Sequence, residues 1–314
     1  MSTTAPAPAS TGPAAGAARW MTPLAVASLV TNILIVITGG VVRLTASGLG
    51  CPTWPRCTEE SFVPHGELGL HGAIEFGNRM VTFLLAAVAI ATFVAAWKLG
   101  RRPVVRLAFL LALGVPAQAV IGGITVLTDL NPWIVAFHLL VSLAMIGVAV
   151  VLLRRLREGD GPAVPTVPGA VTWLVRSTFV AGWLVLYLGT VVTGSGPHAG
   201  DLDAPRNGLD PAALSQLHTD AVFLMLGLTV GAVFALRAVG APARAVRAAQ
   251  VLLGIELAQG VVGFVQYFTD LPVVLVALHL LGAALVSAAM TWMLVGVRDR
   301  APDQASVPAT ATTV

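Results

Sequence analysis

Charge is what this sequence has least of. Only 11% of its 314 residues are Asp, Glu, Lys or Arg, against 56% that are hydrophobic. A water-soluble domain carries about 25% charged residues, so there are too few here to clothe a surface facing water. Cysteine is nearly absent as well. Cys51 and Cys57 are the only two, which excludes both a disulfide-rich scaffold and a multi-cysteine metal cluster. The mean hydropathy of +0.86 points instead to lipid as the solvent. In lipid a backbone can satisfy its own polar groups only as a helix or a closed barrel.

What is present is a series of long apolar runs. Eight are long enough to span a bilayer, which takes roughly 20 residues each: 22–42, 71–97, 104–127, 132–153, 170–194, 212–236, 245–268 and 272–297. The first lacks a small-residue cleavage site and is read as a helix, not a signal peptide. Residues 1–18 and 301–314 are rich in Ala, Pro, Ser and Thr and read as disordered tails. The predicted fold is therefore all-α, with eight transmembrane helices.

The basic residues Arg19, Lys98, Arg101, Arg102, Arg106, Arg154, Arg155, Arg157, Arg176, Arg237, Arg244, Arg247, Arg298 and Arg300 all fall on one side of these spans. The positive-inside rule makes that side cytoplasmic, with both termini inside and the protein in the cell membrane. The net charge of +3 is then a topology signal, and no nucleic-acid partner is expected. The two cysteines fall on the other side, in one loop, with five residues between them. A disulfide is favoured there over two independent thiols, and no further metal ligands lie close by.

An internal repeat organises the chain. Residues 118–143 (QAVIGGITVLTDLNPWIVAFHLLVSL) align without gaps on 259–284 (QGVVGFVQYFTDLPVVLVALHLLGAA) at an offset of 141. Of these 26 positions, 11 are identical, among them His138 with His279 and Thr128-Asp129-Leu130 with Thr269-Asp270-Leu271. More weakly, Thr38-Gly39-Gly40 matches Thr193-Gly194-Ser195, and Asn78 falls opposite His218. The expected architecture is two tandem four-helix bundles, 19–158 and 159–300, related by a pseudo-twofold axis along the membrane normal.

His138, His218 and His279 each lie six or seven residues into an even-numbered helix, about 10 Å deep at 1.5 Å per residue. Intramembrane polar residues are costly and usually functional. The pattern admits heme iron, a proton or ion pathway, or structural hydrogen bonds; heme iron is favoured, because histidines on facing helices are its usual ligands. His218 and His279 would share one heme, and His138 would serve another. The partner of His138 is open: the repeat offers Asn78, a poor iron ligand, and His71 lies about two turns further out. Glu75 precedes Arg79 by four residues, which suits either a self-neutralising ion pair or a proton-handling carboxylate, with Arg79 or Arg43 on a propionate. Glu256 reads as a hydrogen-bonded structural acid. The glycines at 39, 40, 122, 123, 194, 260 and 263 suit a flat ligand or plain helix packing equally. Trp20, Trp54 and Trp133 read as interfacial anchors.

The runs GGVVRLTASGLGCPTWPRC from Gly39 to Cys57 and IEFGNR from Ile74 to Arg79, with the HLL segments at His138 and His279, resemble heme A synthase of the actinobacterial type. The resemblance covers nearly the whole chain apart from the tails. It implies an eight-helix membrane enzyme that oxidises the C8 methyl of heme O to the formyl group of heme A for terminal oxidases. It implies Glu75 as the catalytic glutamate, Cys51 and Cys57 as the cysteine pair, and His138, His218 and His279 as three of four heme histidines. The fourth falls on Asn78, where many members have an E-x-x-H-R run. A heme b cofactor in the second bundle and heme O as substrate in the first follow from the resemblance. Further partners would be membrane lipid, an electron donor, heme O synthase and terminal oxidase assembly factors. The rival readings are a diheme b-type electron-transfer protein and a repeat-built transporter.

Overall fold

The computed structural model describes residues 13–301. Among them are eight long helices, each apolar enough to cross a membrane: α1 (Pro13–Leu44), α2 (Gly69–Leu99), α3 (Arg102–Leu127), α4 (Pro132–Leu156), α5 (Gly169–Ser195), α6 (Pro211–Ala238), α7 (Ala243–Phe268) and α8 (Val273–Gly296). Most ends fall within three residues of those expected. The exception is α1, which begins nine residues early, so residues 13–18 are helical and not part of a tail. Proline suits a first helical position, and alanine has the highest helix propensity; Pro13-Ala-Ala-Gly-Ala-Ala needs no hydrophobicity to form a first turn. The rest of both expected tails, 1–12 and 302–314, lies outside the described residues.

Within the first half, α1 packs on α2, α2 on α3, α3 on α4 and α4 back on α1. The second half closes in the same way through α5, α6, α7 and α8. Between halves, α4 packs on α8, α1 on α8 and α4 on α5. Exchanging equivalent helices turns the α1–α8 contact into α5–α4 and leaves α4–α8 unchanged, which is the pattern a twofold axis requires. The largest buried core lies along this seam, where Leu143 and Ile146 of α4 join Val175 of α5 and Met290 of α8. Bulky apolar side chains such as Phe83, Trp97, Val180, Phe234 and Val261 face outward, as lipid permits.

The two ends of the molecule are tied differently. On the arginine-rich side a two-stranded ribbon, β1 (Ala163–Pro165) with β2 (Arg298–Arg300), ties the α4–α5 connection to the segment after α8. Three residues of backbone pairing leave no hydrophobic period, so the sequence did not announce it. Beside it, Arg101 donates to both carboxylate oxygens of Asp160, at 3.0 and 2.7 Å. Arg154 and Arg155 both meet Glu158, and Asp299 receives Arg154 and Arg244. The hydrogen bonds from Arg101, helped by the charges of Arg101, Arg155 and Arg300, hold the Asp160 carboxyl below the usual carboxylate range. A depressed folded-state pKa contributes stability above the unfolded value of about 3.9, and this is lost as pH falls through the folded value. At so exposed a site the effect is small.

On the opposite side the repeat recurs as geometry. Asp129 and Leu130 have φ of 51° and 58°, and Asp270 and Leu271 have 57° and 56°. In each turn the leucine N–H reaches back to close the helix, Leu130 to Thr125 O and Leu271 to Gln266 O, both at 2.8 Å. The left-handed conformation costs a non-glycine residue about 1–2 kcal/mol, least for Asp and Asn. We therefore expect Asp129→Val to lower the thermal midpoint in detergent by an amount equivalent to about 1–2 kcal/mol. Asp129→Gly should be neutral or mildly stabilising. The same pair of changes at Asp270 should give matching shifts, because the two turns are structurally equivalent.

Candidate functional site

All three deep histidines stand on helices at the end opposite the arginine-rich face, and each rests on a glycine. A Cβ built on Gly122 of α3 would lie 3.3 Å from Cε1 of His138. One on Gly263 of α7 would lie 3.5 Å from Cε1 of His279, and one on Gly189 of α5 would lie 3.2 Å from Cε1 of His218. Glycine is thus what lets each ring lie flat against the neighbouring helix. Gly122 and Gly263 are equivalent in the repeat. Gly189 was missed by the sequence reading; the position matching it in the first half is Leu34, which faces no histidine. Gly39 and Gly260 open onto empty space, Gly40 meets Leu280, and Gly194 meets Asn207 and Pro132. These four do not touch a histidine ring.

Each of the three rings is half-buried with its Nδ1 sealed from solvent; the Nδ1 atoms of His138 and His279 have no hydrogen-bond partner, while the His218 ring approaches the Val185 backbone. The open edge is therefore the one that carries Nε2. In the second bundle two of these rings lie close together. The His218 and His279 ring centres are 6.5 Å apart with planes at 74°. Two metal–nitrogen bonds of about 2.0–2.1 Å, plus about 1.1 Å from nitrogen to ring centre on each side, span nearly the same length. The pair thus fits a single metal atom between two imidazoles. No group of three or more His, Cys, Asp or Glu gathers among the described residues, so the other coordination positions would have to come with the metal. A metal carried in a planar macrocycle meets that requirement.

The first bundle differs at the facing position. Gln118 of α3 donates to His138 O at 3.0 Å and bonds Ser142, bracing the helix that carries His138. Asn78, the position the repeat matches to His218, accepts from Thr38 Oγ1 at 2.7 Å. His71 is exposed at the outer end of α2, with Nδ1 3.0 Å from Ser47 Oγ. Seven residues, or about 10 Å of helix rise, separate it from Asn78. Neither residue is a free ligand facing His138.

Above this bundle the loop after α1 is held down as a unit. Cys51 and Cys57 form a disulfide, as expected. Glu75 is buried; its Oε1 is 2.7 Å from Arg79 Nη2, and its Oε2 accepts the backbone N–H of Cys51. Arg79 also donates to Thr53 O at 3.0 Å and Arg56 O at 3.1 Å. The ion pair that the spacing suggested is real, but it also anchors the disulfide loop. Trp54, read from sequence as an interfacial anchor, instead lies half-buried over Gly123 of α3. Arg43 donates to His198 O at 2.6 Å and Thr193 O at 2.9 Å, crossing to the second half. Gly48 N–H bonds Gly200 O at 2.7 Å, so the two outer loops are joined. Both arginines read as propionate clamps already serve backbone carbonyls. Glu256, in the middle of α7, accepts from Thr229 at 2.7 Å through Oε1, while its buried Oε2 has no partner.

Eight spanning helices in two repeated bundles, with two histidine rings adjacent in one of them, define a polytopic membrane protein. Its sequence places it more closely. The chain belongs to the COX15-CtaA family of cytochrome oxidase assembly proteins, whose profile matches residues 22–69 and 70–200, more than half of the chain. It is similar to the heme A synthase of Geobacillus thermodenitrificans, at 32% identity over 43% of each chain. It is 34% identical to that of Lysinibacillus sphaericus over 55% of this chain and 58% of the other. A heme A synthase of a Bradyrhizobium strain aligns over 81% of this chain and 84% of its own length, at 28% identity. The chain spans about half the length of the first two relatives in these alignments.

Gly123→Ala would set a methyl group into the Trp54 indole and lift the 45–57 loop from α3. We expect trypsin to cleave after Arg56 several-fold faster in this variant, while Gly39→Ala, which meets open space, leaves the rate unchanged.

Proposed function

We propose that the protein is a heme A synthase of the cell membrane, with both termini cytoplasmic. It oxidises the C8 methyl group of heme O, bound in the first bundle, to the formyl group of heme A. His218 and His279 would hold a heme b cofactor in the second bundle. What supports this reading most is the adjacent pair of histidine rings in the second bundle, with asparagine at the position that the repeat alignment matches to His218 in the first. A metal held on both sides is suited to electron transfer, whereas one held on a single side keeps a position for chemistry.

Two successive hydroxylations, each consuming one dioxygen, two electrons from the donor and two protons and releasing one water, convert a methyl group to a gem-diol, and loss of water leaves the aldehyde. Heme b, when bound, supplies one-electron transfer to this sequence. The chain supplies the rest. His138, braced through Gln118, fixes the depth and tilt of the substrate macrocycle, and Gly122 gives that ring its place. Asn78, held by Thr38, leaves the opposite face uncrowded. Glu75 lies where the disulfide loop meets α2 and accepts or returns protons through its carboxylate, whose position the Cys51 N–H and Arg79 hold constant. The loop itself, pinned by Arg79 and by Trp54 on Gly123, covers the first bundle and limits water entry.

Heme O supplied to the purified protein, followed by chromatography of extracted hemes, tests the activity. Formylated heme is the expected product. Bound heme without that product would favour an electron-transfer protein, and absence of any heme absorbance would favour a transporter. His218→Ala and His279→Ala should each abolish the same low-spin absorbance, while His138→Ala leaves most of it. Equal losses in all three would contradict the assignment of one heme to each bundle.

Glu75→Gln keeps the shape and removes the titratable proton. Accumulation of heme O or a hydroxylated intermediate, with little heme A, is expected at normal protein yield. Normal heme A from poorly expressed protein would show that Glu75 serves only to neutralise Arg79.

A further inference from the structure

Away from the histidines, a cavity of about 380 Å³ lies between α6 and α7 in the half of the membrane nearest the arginine-rich face. Val230, Phe234 and Arg237 line it from α6, and Gln250, Gly254 and Leu257 from α7. Phe234 and Leu257 are among the outward-facing side chains, so the cavity opens sideways to lipid. Gly254 keeps it open: a Cβ there would meet nothing within 4 Å.

Two cations without an ion pair stand at its mouth, while several others on this face are paired. Arg101, Arg154, Arg155, Arg244 and Arg300 are all paired with Glu158, Asp160 or Asp299. Arg237, in the last turn of α6, has no side-chain partner among the described residues, and nor does Arg247 of α7. Arg247 lies three residues before Gln250 and seven before Gly254, so it shares their helix face at the same end of the cavity. Asp299 of β2 reaches α7 at Arg244, three residues before Arg247, and is taken there. The result is an apolar slot of acyl-chain character, open to the bilayer, with two uncompensated cations at headgroup depth.

We propose that this slot is a binding site for an anionic glycerophospholipid from the leaflet on the arginine-rich side. One acyl chain fills the groove between α6 and α7, and the phosphate lies between Arg237 and Arg247. Basic pockets between helices at the cytoplasmic side hold anionic headgroups by this logic. The bound lipid would complete the α6–α7 seam of the bundle that carries His218 and His279.

The test uses the purified full-length chain in detergent, offered equal amounts of phosphatidylglycerol and phosphatidylcholine with identical acyl chains and read by native mass spectrometry. The wild-type chain should retain one phosphatidylglycerol in preference. The double substitution Arg237→Gln/Arg247→Gln should reduce that preference roughly thirty-fold, the worth of two basic groups at a membrane surface. Gly254→Leu, which plugs the groove and keeps both arginines, should retain neither lipid. Equal retention of the two lipids by the wild type would overturn the proposal. So would an undiminished preference in the arginine variant, or tight retention of phosphatidylglycerol by Gly254→Leu. If the leucine variant does not fold, the arginine pair decides alone.

Discussion

Hydrocarbon offers a polar group no water to fall back on, and most of this structure follows from that constraint. Each helix satisfies its own backbone, and the irregular segments are confined to the two ends. There the chain's arginines do what water would do elsewhere. Arg79 answers the carbonyls of the disulfide loop, and Arg43 answers those at the end of α5 and just beyond. Buried hydroxyls return their protons to the preceding turn, as Thr178 does to Leu174 O and Thr291 to Ser287 O. Among the buried polar atoms left over, the three histidines share one pattern, an Nδ1 sealed from solvent on a ring that rests on glycine. On the proposed reading, the other nitrogen of each ring is the one that meets the bound group.

The two bundles solve the same packing problem with different contents. His138 and His279 occupy equivalent places and rest on equivalent glycines. The facing position differs by one side chain, asparagine in one and histidine in the other, and the supporting wall differs with it. Leu34 stands in the first half where Gly189 makes room for a ring in the second. The change is therefore one of shape as well as of ligand, so restoring a histidine at position 78 would still lack the glycine floor that His218 has.

Much of this could be read in advance, for reasons that are specific. Spans were legible because hydropathy over twenty residues is a strong signal, and the repeat because TDL and HLL recur at a fixed offset. The cysteine pair was legible because no other thiol competes. The start of α1 was not, since Pro13-Ala-Ala-Gly-Ala-Ala is helical by propensity and weak in hydropathy. The ribbon joining 163–165 to 298–300 depends on backbone pairing alone. The glycines could not be sorted from sequence, because a glycine under a ring and a glycine facing lipid look alike until the neighbouring helix is in place. Trp54 was misplaced for a similar reason: an aromatic near a helix end is usually an anchor, and only the fold of its loop turns it inward over Gly123.

The seam between the halves has a consequence of its own. Its contacts map onto themselves when the halves are exchanged, which is the pattern of an isologous interface between two identical subunits. In symmetry terms the molecule is a homodimer whose subunits have been joined end to end by the segment between α4 and α5. A true homodimer cannot change one copy of a residue without changing the other, so any substitution at the facing position would appear in both bundles at once. Tethering removes that coupling. It lets one subunit equivalent keep two histidines while the other gives one up, and so lets a symmetric scaffold hold two sites of unlike character.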